Sequence, residues 1–316
     1  MRQNELGKTG IKVSEICYGT LPAGPLQANL AIDAAAEIIR HCLKLGVSFI
    51  DTAQRYQTYP IVARALEGYD KPVVIASKSW ATGYEEMRQA VAEARQALRR
   101  DMLDIFMLHA ARATARVFEE RAGAFRYLCE AREAGIIRAV GISTHSVEVV
   151  RAAAAQPEVD VIHPLYNLLA VGILGGDAAA MRAAMEEAAG NGKGLYVMKA
   201  MAGGHLADRY GEALDFARAV PGVAALAVGM LSKEEAEANI AHVEGRPISE
   251  AVKAKVGKSN KKLYIFDACK GCGACVQNCP NGALSLRDNL ACVDPERCLL
   301  CGYCVFHCPQ FALRLV

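Results

Sequence analysis

The sequence predicts a (β/α)₈ TIM barrel followed by a small, cysteine-rich α+β domain, and three observations predict it. Short β-branched runs alternate with Ala-rich helical stretches over residues 1–242, the pattern of βα units around a parallel sheet. Eight such runs can be read, and a chain of 316 residues exceeds what one core usually organises unless that core is a barrel. Finally, three of the twelve cysteines (Cys17, Cys42 and Cys129) lie in the first 260 residues, and the rest crowd into the tail.

The barrel elements follow in order. An opening hairpin surrounds Leu6-Gly7-Lys8-Thr9-Gly10-Ile11-Lys12-Val13. Eight strands then end near Tyr18, Asp51, Lys78, His109, Ser143, Leu165, Lys199 and Val228. Helical patterns lie between them at Ala31–Leu45, Glu85–Leu98, Val117–Ala134, Val147–Ala155, Ala178–Ala189 and Glu212–Ala219, with a last helix from Lys233 to about His242. A doubly wound open sheet is the alternative, but no Gly-x-Gly-x-x-Gly follows the first strand. Residues 243–262 read as a connector: Pro247 stops the preceding element, Ser249 to Val256 can form a short helix, and Lys258 to Lys262 reads as a solvated linker.

Composition narrows the function classes. An apolar fraction of 53% and a charged fraction of 22% describe a globular chain. A net charge of +2 leaves no electrostatic footprint for nucleic acid or an anionic membrane. The polar start, Met1 to Glu5, does not read as a signal peptide. The nearest approach to a spanning run, Val159 to Gly176, is broken by Asp160, His163, Pro164 and Asn167. A cytoplasmic protein with neither nucleic-acid nor membrane partners is expected.

Stable disulfides are rare in that compartment, so the tail cysteines read as metal ligands. Cys269, Cys272, Cys275 and Cys279-Pro280 follow C-x₂-C-x₂-C-x₃-C-P, and Cys298, Cys301, Cys304 and Cys308-Pro309 repeat it. In this motif three thiolates face one 4Fe-4S cluster and the fourth ligates the other. The expected assignment is crossed: Cys269, Cys272, Cys275 and Cys308 for one cluster, Cys298, Cys301, Cys304 and Cys279 for the second. Cys₄ zinc sites instead pair two C-x₂-C knuckles across a longer loop. Flanking Ala283-Leu284-Ser285-Leu286 and Ala312-Leu313-Arg314-Leu315 repeat as well, so residues 263–316 are an internal duplication that resembles the bacterial two-cluster ferredoxins. Cys292 and the three barrel cysteines read as small buried thiols.

Asp51, Lys78 and His109 end three consecutive apolar strands, at the face where a TIM barrel keeps its chemistry. Tyr56 follows Asp51 on a loop. Together with Leu6-Gly7-Lys8-Thr9-Gly10 and Phe49-Ile50-Asp51-Thr52-Ala53-Gln54-Arg55-Tyr56, these residues resemble the aldo-keto reductases over roughly residues 3–242. That resemblance implies a catalytic tetrad of Asp51, Tyr56, Lys78 and His109. Tyr56 would be the general acid, its pKa lowered by Lys78, which Asp51 keeps charged, while His109 orients the carbonyl.

The resemblance also implies cofactor contacts at Ser143, Thr144, His163, Lys199, Gly203, Gly204, Ser232 and Asn239, several of which depart from the family's usual residues. Met198 stands where an aromatic normally stacks on the nicotinamide. Glu235 stands where an arginine would grip a 2′-phosphate, so NADH is favoured over NADPH. No flavin fingerprint is present, but barrel flavin sites rely on loops that leave no short motif, so a flavin stays open.

Hydride transfer moves two electrons and each cluster passes one. Three readings follow. The first is a carbonyl or alcohol oxidoreductase whose electrons pass through the clusters; the second is an NADH-linked reductase with structural or redox-sensing clusters; the third is an electron-transfer protein whose barrel docks a partner. A small-molecule substrate is expected, with an external electron carrier as a candidate partner. Trp80 and the apolar loop Leu168 to Leu174 are expected at the catalytic mouth, and the tail is expected beside it.

Overall fold

The computed structural model describes residues 1–257 and 261–315. A hairpin of β1 (Gln3–Glu5) and β2 (Lys12–Ser14) opens the chain. Its Leu6, Ile11 and Val13 pack among inward residues of the barrel such as Phe49, Ile105 and Tyr196. The barrel strands are β3 (Ile16–Gly19), β4 (Phe49–Asp51), β5 (Val74–Ser79), β6 (Leu103–His109), β7 (Ile137–Thr144), β8 (Val161–Pro164), β9 (Gly194–Met198) and β10 (Val223–Val228). They pair in parallel in chain order, and β10 closes on β3.

The helices α1 (Ile32–Lys44), α2 (Tyr59–Leu66), α3 (Tyr84–Leu98), α4 (Val117–Glu120), α5 (Ala122–Glu133), α6 (Val147–Ala155), α7 (Ala178–Gly190), α8 (Tyr210–Arg218) and α9 (Lys233–Val243) cover the sheet. The longer ones bury an apolar stripe; in α1 it is Ala35, Ala36, Ile38, Ile39, Cys42 and Leu43, the i, i+3, i+4 spacing of one helix face. Among the described residues no helix is long and apolar enough to cross a membrane.

Three elements differ from expectation. Helix α2 fills the interval between β4 and β5; its Pro60 sits in the first turn, where a missing N–H costs nothing. The helix expected over Val117–Ala134 is divided at Arg121, whose φ of −120° is not helical, and the Arg121 guanidinium there donates to the His109 carbonyl at 3.0 Å. The connector helix is only α10 (Glu250–Lys253), capped by Ser249, half the length expected for it. The expected solvated linker lies outside the described residues at 258–260, while Lys261 lines a cavity in the barrel mouth.

The tail repeats itself in three dimensions. β11 (Leu263–Ile265) pairs with β14 (Leu313–Leu315), and β12 (Leu284–Arg287) with β13 (Leu290–Val293). One-turn helices α11 (Ala274–Gln277) and α12 (Tyr303–Phe306) each follow a left-handed glycine, Gly273 and Gly302. A small core of Ala283, Leu284, Ala291, Leu300, Ala312 and Leu313 packs around the cysteines.

Candidate active site and cluster seats

Parallel pairing puts Lys78 beside Met107, His109 beside Ser143, and Ser143 beside His163 at the C-terminal rim. Asp51 ends β4 one strand away. Lys78 Nζ donates to Asp51 Oδ1 and Oδ2 at 2.8 and 2.7 Å and to the Thr52 carbonyl at 2.9 Å. Its three protons are thereby used. The Tyr196 hydroxyl donates to Asp51 Oδ1 at 2.9 Å, and His163 Nε2 stands 3.8 Å from the same oxygen.

Tyr56 lies on a 3₁₀ turn, Gln54–Tyr56, 7% exposed, with Lys78 Nζ 4.9 Å from its ring centre. Burial, then Tyr303 and Asp51, push its pKa well above the usual phenol value. This corrects the expectation that Lys78 lowers it: the ammonium is committed to Asp51 and Thr52, and the phenol is desolvated. Burial and the nearby Lys78 hold His109 well below its ordinary pKa, so its imidazole is neutral. Burial likewise holds His163 down to about 4, with its ring stacked on Tyr196 at 3.9 Å.

The tail docks on this mouth. Leu299 packs against Leu165, Met198, Val171 and Ile173, so part of the apolar loop Leu168 to Leu174 is a docking surface. Arg112 Nη1 donates to the Cys279 carbonyl at 2.7 Å, His205 Nε2 to that of Cys298 at 2.8 Å, and Gln27 Nε2 to that of Cys301 at 3.4 Å. His145 Nδ1 and Asn281 Oδ1 lie 3.1 Å apart, and Arg55 bridges Trp80 and the tail's His307. Gly203 and Gly302 have positive φ, and a Cβ on either would strike a backbone oxygen across the interface, Leu299 O or Leu26 O. Only glycine allows that approach.

Between barrel and tail lies a cavity of about 510 Å³. Asp51, Tyr56, Glu235 and Asn239 all line it, with Cys301 of the tail in its wall. Of the expected cofactor contacts it brings together His163, Lys199, Gly203, Gly204 and Asn239, with Met198. It does not include Ser143, Thr144 or Ser232. Thr144 Oγ1 accepts from the Ser146 amide, and Ser232 caps α9 by accepting from the Glu235 amide at 3.1 Å. Burial lowers the Lys199 pKa and pulls Lys261, on the same cavity, down to about 8.

The residues of the tail fit two cubane clusters. One enclosed space is walled by Cys279, Cys298, Cys301 and Cys304, and another by Cys269, Cys272, Cys275 and Cys308. These are the crossed sets. Backbone amides donate to sulfur in the repeated manner: Ala283 to Cys279 and Ala312 to Cys308, both at 3.2 Å. Burial raises the pKa of Cys275, Cys298 and Cys304, so the charge of bound metal must displace those protons. The set holding Cys301 faces the barrel, and the other presents Cys272 to solvent. Anaerobically isolated protein is expected to carry about eight iron and eight sulfide per chain. Elemental analysis finding stoichiometric zinc without sulfide would contradict this.

Two residues escaped sequence reasoning. Tyr196 sits mid-strand in an apolar run and shows nothing of its hydrogen bond to Asp51. Tyr303 was signalled by a break in the duplication: the outer repeat reads Cys272-Gly273-Ala274-Cys275, the inner Cys301-Gly302-Tyr303-Cys304.

Comparison with known proteins agrees with this geometry. The aldo/keto reductase family model matches residues 15–250, and a 4Fe-4S dicluster domain matches residues 268–312. The chain is 30% identical to the aldo-keto reductase YhdN of Bacillus subtilis over 184 residues, 53% of this chain and 54% of that protein. It therefore spans about half the length of that relative. A solved Pseudomonas aeruginosa structure assigned to the aldo-keto reductases superposes with a TM-score of 0.66 at 27% identity, covering 77% of this chain and 94% of that one. The tail is 50% identical over 36 residues to the ferredoxin-type protein NapF of Haemophilus influenzae, 11% of this chain and 20% of that protein. The chain belongs to the aldo/keto reductase family, and to that barrel it joins a 4Fe-4S dicluster domain.

Proposed function

We propose that the protein is an iron-sulfur oxidoreductase that reduces a carbonyl-type small molecule, or oxidises the corresponding alcohol, at Asp51, Tyr56, Lys78 and His109. The observation that carries this reading is Cys301, which lines the same cavity as Asp51 and Tyr56. Bound clusters would supply electrons one at a time. Reduction of a carbonyl takes two electrons and two protons, and two clusters hold one electron each. Tyr56 lines that cavity, and its hydroxyl would give one proton to the carbonyl oxygen, the second proton, to carbon, coming from water. Neutral His109 can hold the carbonyl oxygen, and the Lys78–Asp51 pair fixes the floor beneath Tyr56. The exposed Cys272 side of the outer seat is where an external electron carrier would deliver.

The test is anaerobic. Protein reduced with dithionite and freed of excess reductant is mixed with a panel of aldehydes and ketones, without nicotinamide, while the visible cluster absorption is followed. Reoxidation by one class of carbonyl is expected, with formation of its alcohol. Absorption unchanged across the panel, together with NADH-driven turnover that survives Cys301→Ser, would overturn it.

A second reading, an NADH-linked reductase with structural or redox-sensing clusters, is favoured by the reach of the cavity from Tyr56 to Asn239. Under it Glu235 disfavours a 2′-phosphate, so NADH is expected to bind more tightly than NADPH. The Glu235 carboxylate also accepts from the Leu231 amide at 2.7 Å, so Glu235→Gln is the cleaner variant: it keeps an acceptor and removes the charge. It is expected to narrow the NADH-over-NADPH ratio measured by titration. Affinity for neither nucleotide would sink this second reading, and a stoichiometric flavin in an anaerobic extract would identify a different occupant.

A further inference from the structure

A carbonyl oxygen that Tyr56 is to protonate and His109 is to orient must lie within hydrogen-bond reach of both, about 2.6–3.2 Å from each. The tail has put a phenol of its own beside that seat. The Tyr303 hydroxyl stands 3.4 Å from His109 Nε2. Its side chain also packs with that of Tyr56 in one buried cluster.

Tyr303 is 3% exposed and packs with Leu26, Ala53 and Tyr56. Its ring lies 5.6 Å from that of Trp80, and Trp80 lies 5.7 Å from His109. The residue has little freedom to swing away. Gly302 before it presses against the Leu26 carbonyl so closely that no side chain fits, and Cys301 and Cys304 on either side belong to the inner cluster seat. The corresponding residue of the outer repeat is Ala274, so the ferredoxin architecture itself does not require a phenol here.

We propose that Tyr303 is a specificity-determining residue: its ring walls the carbonyl-oxygen seat on the Trp80 side and closes that side to small molecules. Among the described residues, Tyr56 is then reached through the 510 Å³ cavity that it lines with Cys301, and a substrate is accepted if it can present its reacting group from there. Molecules that would lie against Trp80 are excluded. The inference rests on the tetrad reading above.

Trp80 is the single tryptophan of the chain and does not line the cavity, so its fluorescence reports the Tyr303 side alone. Benzaldehyde is titrated, without reductant, into the anaerobic full-length protein and its Tyr303→Ala, Tyr303→Leu and Tyr303→Phe variants. Wild type and Tyr303→Phe, which keeps the ring, are expected to show no saturable change. Tyr303→Ala and Tyr303→Leu are expected to saturate at a concentration at least tenfold lower than any wild-type response; whichever retains eight iron is read. A saturable wild-type response equal to theirs, or none in an iron-replete opened variant, overturns the proposal. A separate arm tests the tetrad. Adding Tyr56→Phe to the opened variant should abolish benzaldehyde reduction and leave the fluorescence titration intact. Reduction that persists there would count against the tetrad reading without touching the closure by Tyr303.

Discussion

Tyr56→Phe is expected to lower turnover by about 10²-fold or more, the scale of a general-acid contribution, while iron content and fold stay unchanged. The ring of Tyr56 packs with Leu26, Ala53 and Tyr303, and phenylalanine keeps those contacts. What is lost is one hydroxyl, at most about 1 kcal/mol of stability. Its proton is the functional loss. Because burial raises the Tyr56 pKa well above 10, the phenol stays protonated in the folded chain across the neutral and mildly alkaline range. In the direction of reduction, no loss of rate from Tyr56 deprotonation is therefore expected below about pH 10. The measurement is a pH–rate profile of wild type beside the variant. A variant that keeps full activity on its best carbonyl would show the tetrad to be vestigial in this chain. An alkaline limb near neutrality that Tyr56→Phe removes would show a phenol far more acidic than its surroundings allow.

Much of the barrel was legible because its signals are local. Apolar runs ending in Asp51, Lys78 and His109 gave strand ends that match the structure to within a residue. Helix α2 is absent from the helical patterns legible in the sequence, although the proline in its first turn is compatible with a helix. The break at Arg121 coincides with a hydrogen bond to the carbonyl of another element, which no local pattern signals. The 4Fe-4S dicluster domain was the most readable feature, since its signal is the spacing of cysteines within two short motifs. Tyr303 was the least readable. Its partner His109 is 194 residues away in sequence, and no local rule brings them together. Yet the repeat held a clue: the outer motif carries Lys270, Gly271 and Ala274 where the inner carries Leu299, Leu300 and Tyr303. Leu299 and Tyr303 of the inner copy pack on the barrel, while Leu300 joins the tail's own core, and a duplication that departs from its own symmetry marks the face that meets a partner. The Tyr56 pKa was misjudged for a related reason. Sequence names the neighbouring ammonium but not which oxygens claim its protons.

Those oxygens make Asp51→Asn the second large effect: a loss of about 3–5 kcal/mol of stability, the cost of leaving one member of a buried ion pair alone. Lys78 is fully buried and Asp51 4% exposed. Asparagine at position 51 keeps the size and one acceptor oxygen but removes the charge that balances the Lys78 ammonium. It also weakens the acceptor of the Tyr196 hydroxyl. The wild-type pair need not be worth that much in itself, because desolvating both charges offsets most of their attraction. Breaking the pair is what costs. The double variant Asp51→Asn/Lys78→Met should accordingly be less destabilised than the sum of its two single variants, by about 1–3 kcal/mol of coupling. Anaerobic urea unfolding, followed by the fluorescence of Trp80, measures all four proteins on one scale. If Asp51→Asn unfolds within about 1 kcal/mol of wild type, or if the single effects simply add, then Lys78 is neutralised or rehoused when Asp51 is lost, and the pair does not hold the floor of the site.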